Sequence, residues 1–193
     1  MSKKAVFLDR DGTLNEEVNY LFQPEDWRWL PGVVSGLVKL HQAGYLLVVI
    51  TNQAGIARGY YTEEQMHALH TWVNVQLSQH NVSIQGFYFC PHHPDFTPGG
   101  CTCRKPSPLL LQKAAEELYI DLGKSWMIGD KLLDIQAGNA AGCRSILVRT
   151  GYGNAEALQC QGLASIAIDF SEAVAQILTT DCRQILPCGR STA

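Results

Sequence analysis

Ala5-Val6-Phe7-Leu8-Asp9-Arg10-Asp11-Gly12-Thr13 is the stretch that decides the fold. Four consecutive apolar residues without polar alternation describe a strand buried on both faces, as in a parallel sheet covered by helices. The run stops at two carboxylates two positions apart, and an Asp-Gly pair then turns the chain. If extended geometry persists through Asp11, both acidic side chains point to one side. Two like charges so close are costly unless a cation or a shared proton compensates. This favours a magnesium ion and allows one carboxyl to hold a proton. A bare D-x-D is weak evidence, because carboxylates at strand-to-turn junctions are common, so the reading depends on what recurs along the chain.

Working outward, Pro31-Gly32 precede a helical face of Val33, Val34, Leu37, Val38 and Leu40, with Gly44 as its stop. Residues 45–50 form a second buried strand. Thr62-Glu63-Glu64-Gln65 has the form of a capping box, and Leu69, Val73 and Leu77 continue that helix to about His80. Further strands are expected at 87–89, 126–128, 145–148 and 166–168. Between and after them, helices are expected from Ser107-Pro108, over 132–141 with Gly142 as the stop, and near 171–178. The pattern predicts an α/β fold, a Rossmann-like parallel sheet flanked by helices, in one domain over 1–180 with residues 181–193 as a tail. Such sheets bind ligands beyond the carboxyl ends of their strands. The residues falling there are Asp9, Thr51, Cys90 and Gly129-Asp130, and Lys105 lies on a loop that follows one of these ends.

Composition narrows the classes. A net charge of −3 over 193 residues, with no Lys/Arg-rich run, argues against charge-driven nucleic-acid binding. No run of about 18 apolar residues suggests a membrane span, and the four apolar residues before Asp9 are too few for a signal-peptide core. A soluble cytosolic protein is expected. Seven cysteines are unevenly placed. Cys90-Pro91-His92-His93 and Cys101-Thr102-Cys103 put three thiols and an imidazole on two short arms, a donor set that suits a closed structural zinc site.

D-R-D-G-T-L-N at 9–15, T-N-Q at 51–53, R-K-P at 104–106 and G-D-K-x-x-D at 129–134 resemble the four motifs of the haloacid-dehalogenase-type (HAD) phosphatases, in order. Within that superfamily the chain is most similar to the branch of the heptose-bisphosphate 7-phosphatases and the histidinol-phosphate phosphatases. The resemblance implies a minimal cap of loop insertions and hydrolysis through an aspartyl-phosphate. It further implies a cytoplasmic place in the supply of ADP-heptose for lipopolysaccharide core, with histidinol-phosphate hydrolysis in histidine biosynthesis as the alternative. A zinc-stabilised binding protein with a retired site is the non-enzyme alternative. It is disfavoured, because such a protein has no need for Asp9, Asp11, Thr51, Lys105 and Asp130 together.

The resemblance also implies roles. Asp9 is the nucleophile, Asp11 the proton donor and then acceptor, and Thr51 and Lys105 stabilise the phosphoryl group. Magnesium sits on the Asp9 carboxylate, the Asp11 backbone carbonyl and the Asp130 carboxylate. Substrate is met by Glu17, Val18, Asn19 and Tyr20, by Asn52, Gln53 and Ala54, and by Lys131. Arg104, a planar fork beside Lys105, suits a second phosphate. Zinc is held by Cys90, His92, Cys101 and Cys103, with His93 outside the metal shell, and would anchor the arm that carries Lys105. Asp134 is expected to share a face with Asp130 or to orient Lys131. Arg58 is read either as closing the pocket or as an exposed loop residue. Trp27, Trp29, Tyr60 and Tyr61 are read either as a sugar wall or as packing. The partner is one small phosphorylated sugar, and a monomer is the default.

Overall fold

The computed structural model describes residues 2–97 and 99–185, with side chains given through 181. Strands β1 (Ala5–Leu8), β2 (Leu46–Asn52), β3 (Gly86–Cys90), β4 (Trp126–Gly129), β5 (Arg144–Val148) and β6 (Ser165–Ala167) form one parallel sheet. Its order is β3-β2-β1-β4-β5-β6. Helices α1 (Val33–Gln42), α2 (Glu63–Ser78), α3 (Leu109–Leu118), α4 (Leu132–Ala141), a short α5 (Gly153–Glu156) and α6 (Phe170–Ile185) connect and cover it.

The uninterrupted apolar strands are explained by the two layers. Val6, Leu8, Val49 and Ile128 pack on one face with residues of α1, α2 and α6, whereas Ala5, Phe7, Val48 and Met127 pack on the other with α3 and α4. Successive residues of a strand point to opposite faces, so a strand covered on both sides has no place for polar alternation. The capping box at Thr62 forms as expected, and Gly44 takes a left-handed backbone (φ 82°) just beyond α1.

Two boundaries differ from the expectation. Pro108 occupies the cap position of α3 and the helix starts at Leu109, while Ser107 Oγ accepts the Leu109 N–H from one position further out. The last helix runs beyond 178 to Ile185. Its continuation is held by tertiary contacts that the apolar period does not record: Asp181 accepts from Lys4 Nζ at 2.6 Å and from the Tyr45 hydroxyl at 2.8 Å. Part of the expected tail is therefore helix, and residues 186–193 lie outside the described residues.

The strand order reverses between β1 and β4, since connections leave β1 toward β2 on one side and reach β4 on the other. That reversal opens a crevice at the carboxyl ends of these two strands. The Asp9 N–H bonds to the Ile128 carbonyl at 2.9 Å, which carries the ladder one residue beyond β1 and sets Asp9 at the crevice. Segments following β1 and β2 supply its walls, through Glu17, Asn19 and Tyr20 on one and Gln53, Ala54 and Tyr61 on the other. Among the described residues no helix is long and apolar enough to cross a membrane.

Candidate active site

The floor of the crevice is a group of buried charges. Lys105 Nζ lies 2.7 Å from Asp9 Oδ1 and 2.6 Å from Asp134 Oδ1, and donates to the Ile50 carbonyl at 2.8 Å. These three partners match the three protons of an ammonium. Burial alone would lower the Lys105 pKa, but the Asp134 and Asp9 carboxylates outweigh it and raise the value. Lys105 is aimed from its own loop by Asn52, whose amide accepts the Lys105 N–H at 3.1 Å and donates to the Lys105 carbonyl at 3.3 Å.

Asp9, Asp130 and Asp134 offer carboxylate oxygens within 4.8 Å of one another. Asp130 Oδ2 accepts the Tyr152 N–H at 2.8 Å, whereas Asp130 Oδ1 is buried without a hydrogen-bond partner. Burial, then the negative charges of Asp9 and Asp134, push the Asp130 carboxyl up to about 8. Burial and Asp9 push Asp134 up to about 6 against the pull of Lys105. A buried acceptor lacking a donor, beside two more carboxylates, fits a hard cation with oxygen ligands. Two glycines make room here. Gly12 (φ 84°) and Gly151 (φ 52°) both lie against Asp130, and a Cβ on either would overlap its carboxylate. Asp134 also accepts the Lys131 N–H through Oδ2 at 3.0 Å, so it caps α4 while it meets Lys105.

Asp11 is oriented by three side chains. Arg10 Nε lies 3.1 Å from both of its oxygens, Asn15 Nδ2 donates to Oδ1 at 3.0 Å, and Gln53 Nε2 donates to Oδ2 at 3.0 Å. The same Gln53 amide donates to Thr51 Oγ1 at 2.8 Å and accepts from the Tyr61 hydroxyl. The Asp11 carboxylate is outside the three-carboxylate group.

A cleft of about 240 Å³ opens above these groups. Asp9, Asp11, Thr51 and Lys105 line it, as do Glu17, Asn19, Tyr20, Asn52, Gln53, Ala54, Arg104 and Lys131. Val18 does not; it packs against the core below. Glu17 and Lys131 pair at 3.3 Å across the mouth, and burial, then Asp11, raises the Glu17 pKa. Trp27 and Trp29 pack together and against the core, while Tyr61 reaches the cleft. The sequence reading missed Tyr152, Leu133 and His93 on the wall. Arg58 stands 2.8 Å from His93 Nε2 behind that wall.

Beside the cleft, Cys90, His92, Cys101 and Cys103 bring their ligand atoms together. Cys90 Sγ is 3.6 Å from Cys101 Sγ and from His92 Nδ1, and Cys103 Sγ is 3.4 Å from His92 Nδ1. A tetrahedron with zinc–sulfur bonds of about 2.3 Å and zinc–nitrogen bonds of about 2.0–2.1 Å has edges of roughly 3.6–3.8 Å, so the donor set fits that metal. Arg104 donates to the His92 carbonyl at 3.2 Å, joining the metal loop to the residue before Lys105.

Comparison with known proteins agrees with this geometry. A family model described as HAD-hydrolase-like matches residues 102–173. The D-glycero-beta-D-manno-heptose-1,7-bisphosphate 7-phosphatase of Photorhabdus laumondii is 46% identical over 82% of this chain and 88% of its own. The D-glycero-alpha-D-manno-heptose-1,7-bisphosphate 7-phosphatase of the same organism is 45% identical over 79% of this chain and 86% of its own. Among solved structures, a D,D-heptose 1,7-bisphosphate phosphatase from B. bronchiseptica, complexed with magnesium and phosphate, superposes with a TM-score of 0.84. It is 33% identical and covers 92% of this chain and 99% of its own. Fold and crevice are those of a HAD-like phosphoric monoester hydrolase. The chain belongs to the family of the heptose-1,7-bisphosphate 7-phosphatases. These relatives do not favour the histidinol-phosphate alternative.

Proposed function

We propose that the chain is a magnesium-dependent phosphatase that removes the 7-phosphate of a D-glycero-D-manno-heptose 1,7-bisphosphate through an aspartyl-phosphate on Asp9. The observation that carries this reading is the surroundings of Asp9: a buried ammonium on one oxygen and an unpartnered Asp130 oxygen nearby. Asp9, the Asp11 carbonyl and Asp130 would hold magnesium, with Asp134 beside them, and the ion when bound supplies charge neutralisation between nucleophile and phosphate.

The remaining work belongs to the chain's own residues. An Asp9 oxygen attacks phosphorus, the bond from phosphorus to the sugar oxygen breaks, and Asp11 gives its proton to that oxygen. Thr51 donates to a phosphoryl oxygen, and the positive charge of Lys105 beside Asp9 offsets the charge that concentrates there. Water then attacks the aspartyl-phosphate, Asp11 takes its proton, and the Asp9–phosphorus bond breaks to release inorganic phosphate. Splitting one hard hydrolysis into two steps is the gain of covalent catalysis.

Arg104 meets the second phosphate, and Glu17, Asn19, Tyr20, Gln53, Ala54 and Lys131 wall the sugar. Cys90, His92, Cys101 and Cys103 hold a structural zinc that steadies the arm carrying Arg104 and Lys105. The protein acts on its own as a cytoplasmic enzyme in the supply of ADP-heptose for lipopolysaccharide core. Among the described residues, the cysteines outside that zinc group, Cys143 and Cys160, are free thiols, which suits a reducing compartment. The alpha- and beta-named relatives are almost equally similar, so overall identity does not select an anomer.

Steady-state kinetics with both anomers of the heptose bisphosphate and with histidinol phosphate test the reading. A preference of at least about 100-fold in kcat/KM for a heptose bisphosphate is expected, about 2.7 kcal/mol of transition-state binding. Equal or better turnover of histidinol phosphate would overturn it.

A further inference from the structure

We infer that Arg10, the residue between the two motif aspartates, is a positioning residue for proton transfer: its buried guanidinium holds the Asp11 carboxyl in the one orientation that serves both half-reactions. The inference rests on the roles proposed above for Asp9 and Asp11.

Arg10 is fully buried, which is rare for an arginine and demands partners. Its Nε spans both Asp11 oxygens at 3.1 Å, and Nη2 lies 2.9 Å from Asp11 Oδ2 while donating to the Leu21 carbonyl at 2.9 Å. Nη1 faces His70 Nε2 of α2 at 3.4 Å. A guanidinium can only donate, so His70 accepts there as the neutral ring. Burial, then the Arg10 charge, holds its pKa down to about 2. The His70 ring is fixed in turn by stacking on Phe87 of β3, with centroids 4.2 Å apart.

Arg10 is thus anchored by a helix residue, itself braced against a strand, and by a loop carbonyl, and presents a rigid edge to Asp11. Asn15 and Gln53 complete the grip, and the carboxyl still lines the cleft. A charge-assisted fork fixes the plane of a carboxylate as a single ammonium cannot. Proton transfer needs that plane aimed, first at the leaving oxygen and then at the attacking water. An ion pair serving stability alone has no need to end on a cleft carboxyl held from both sides.

Arg10→Lys keeps the charge and loses the fork, and leaving-group chemistry separates positioning from structure. A sugar phosphate leaves as an alkoxide and needs the proton from Asp11; p-nitrophenolate does not. For Arg10→Lys we expect kcat on the sugar bisphosphate to fall roughly 100-fold, the lower end of what positioned proton transfer contributes, with KM within about threefold. First-turnover release of p-nitrophenolate should stay within about threefold of the parent. The steady-state rate behind it should drop, because water activation still requires Asp11, so a burst should emerge. Equal losses in the two first turnovers, or no loss at all, would overturn the inference. Should Arg10→Lys not fold, His70→Phe, which removes only the acceptor of Nη1, must show the same selectivity at smaller amplitude. Absence of selectivity there would equally overturn it. Failure of the parent protein to bind beryllofluoride with magnesium, or its persistence in Asp9→Asn, would instead refute the aspartyl-phosphate reading.

Discussion

Lys105 and Asp9, 96 positions apart in the chain, meet at 2.7 Å in the interior, with the lysine side chain only 1% exposed. Each makes the other's burial tolerable, and Asp134 shares the same ammonium. The expected consequence concerns both fold and chemistry. Lys105→Met should cost about 3–5 kcal/mol of stability, since it leaves two carboxylates buried without their cation. Turnover should fall at least about 1000-fold, because the phosphoryl oxygens lose their cation as well. Denaturant titration and steady-state kinetics on one preparation would measure both.

Two buried carboxylates, Asp130 and Asp134, make the metal-free protein sensitive to pH. Asp130 is pushed up to about 8 and Asp134 to about 6, from an ordinary value of 3.8. Folded pKa values above the unfolded ones mean that the folded state binds more protons, so stability should fall as pH rises from about 4 to 8. Magnesium favours the ionised forms, so the gain in melting temperature on adding it should grow over the same window. Thermal melts at pH 5, 6, 7 and 8, with chelator or with magnesium, would check this. A gain independent of pH would contradict it.

Gly151 lies where its Cα hydrogen faces Asp130 and the Gly12 backbone; a Cβ would stand 2.7 Å from Gly12 Cα and overlap the Asp130 carboxylate. Its φ of 52° adds backbone strain for any other residue. Gly151→Ala should weaken magnesium binding by roughly 10- to 100-fold, the scale on which residues behind a metal ligand act. Isothermal titration with magnesium would show it, and kcat at saturating magnesium should recover in part.

Cys103 and Lys105 are separated only by Arg104, which itself bonds to the His92 carbonyl. Zinc removal, or Cys103→Ser, should lower the melting temperature, because metal binding energy contributes directly to folding. It should also lower kcat, by releasing the arm that aims Lys105. Metal analysis should find one zinc per chain. Unchanged stability and turnover after its loss would show that the loop and the catalytic lysine are independent.

Much of this was legible in the linear chain because it is local. Four apolar residues running into Asp9 specify a doubly covered strand, and periodicity marks the helices that cover it. Turn chemistry at Asp11-Gly12 and the spacing of three cysteines and a histidine announce chemistry at strand ends. The motif order then points to phosphoryl transfer. None of these readings needs two distant residues to be placed relative to each other.

The rest depended on such placement. Parallel register brings the end of β2 beside β1, and only then do Asn52 aim Lys105 and Gln53 link Asp11 to Thr51. Arg10 reads as an arbitrary middle letter until α2 supplies His70 and the loop supplies the Leu21 carbonyl. Val18, expected to meet substrate, packs against the core, and His93, expected only to lie outside the metal shell, stands on the cleft wall, because loop side chains follow packing rather than period. Burial turned a row of ordinary carboxylates into a site that calls for a cation. Buried charges interact strongly over a few ångströms, and those distances exist only once the sheet has brought its strand ends together.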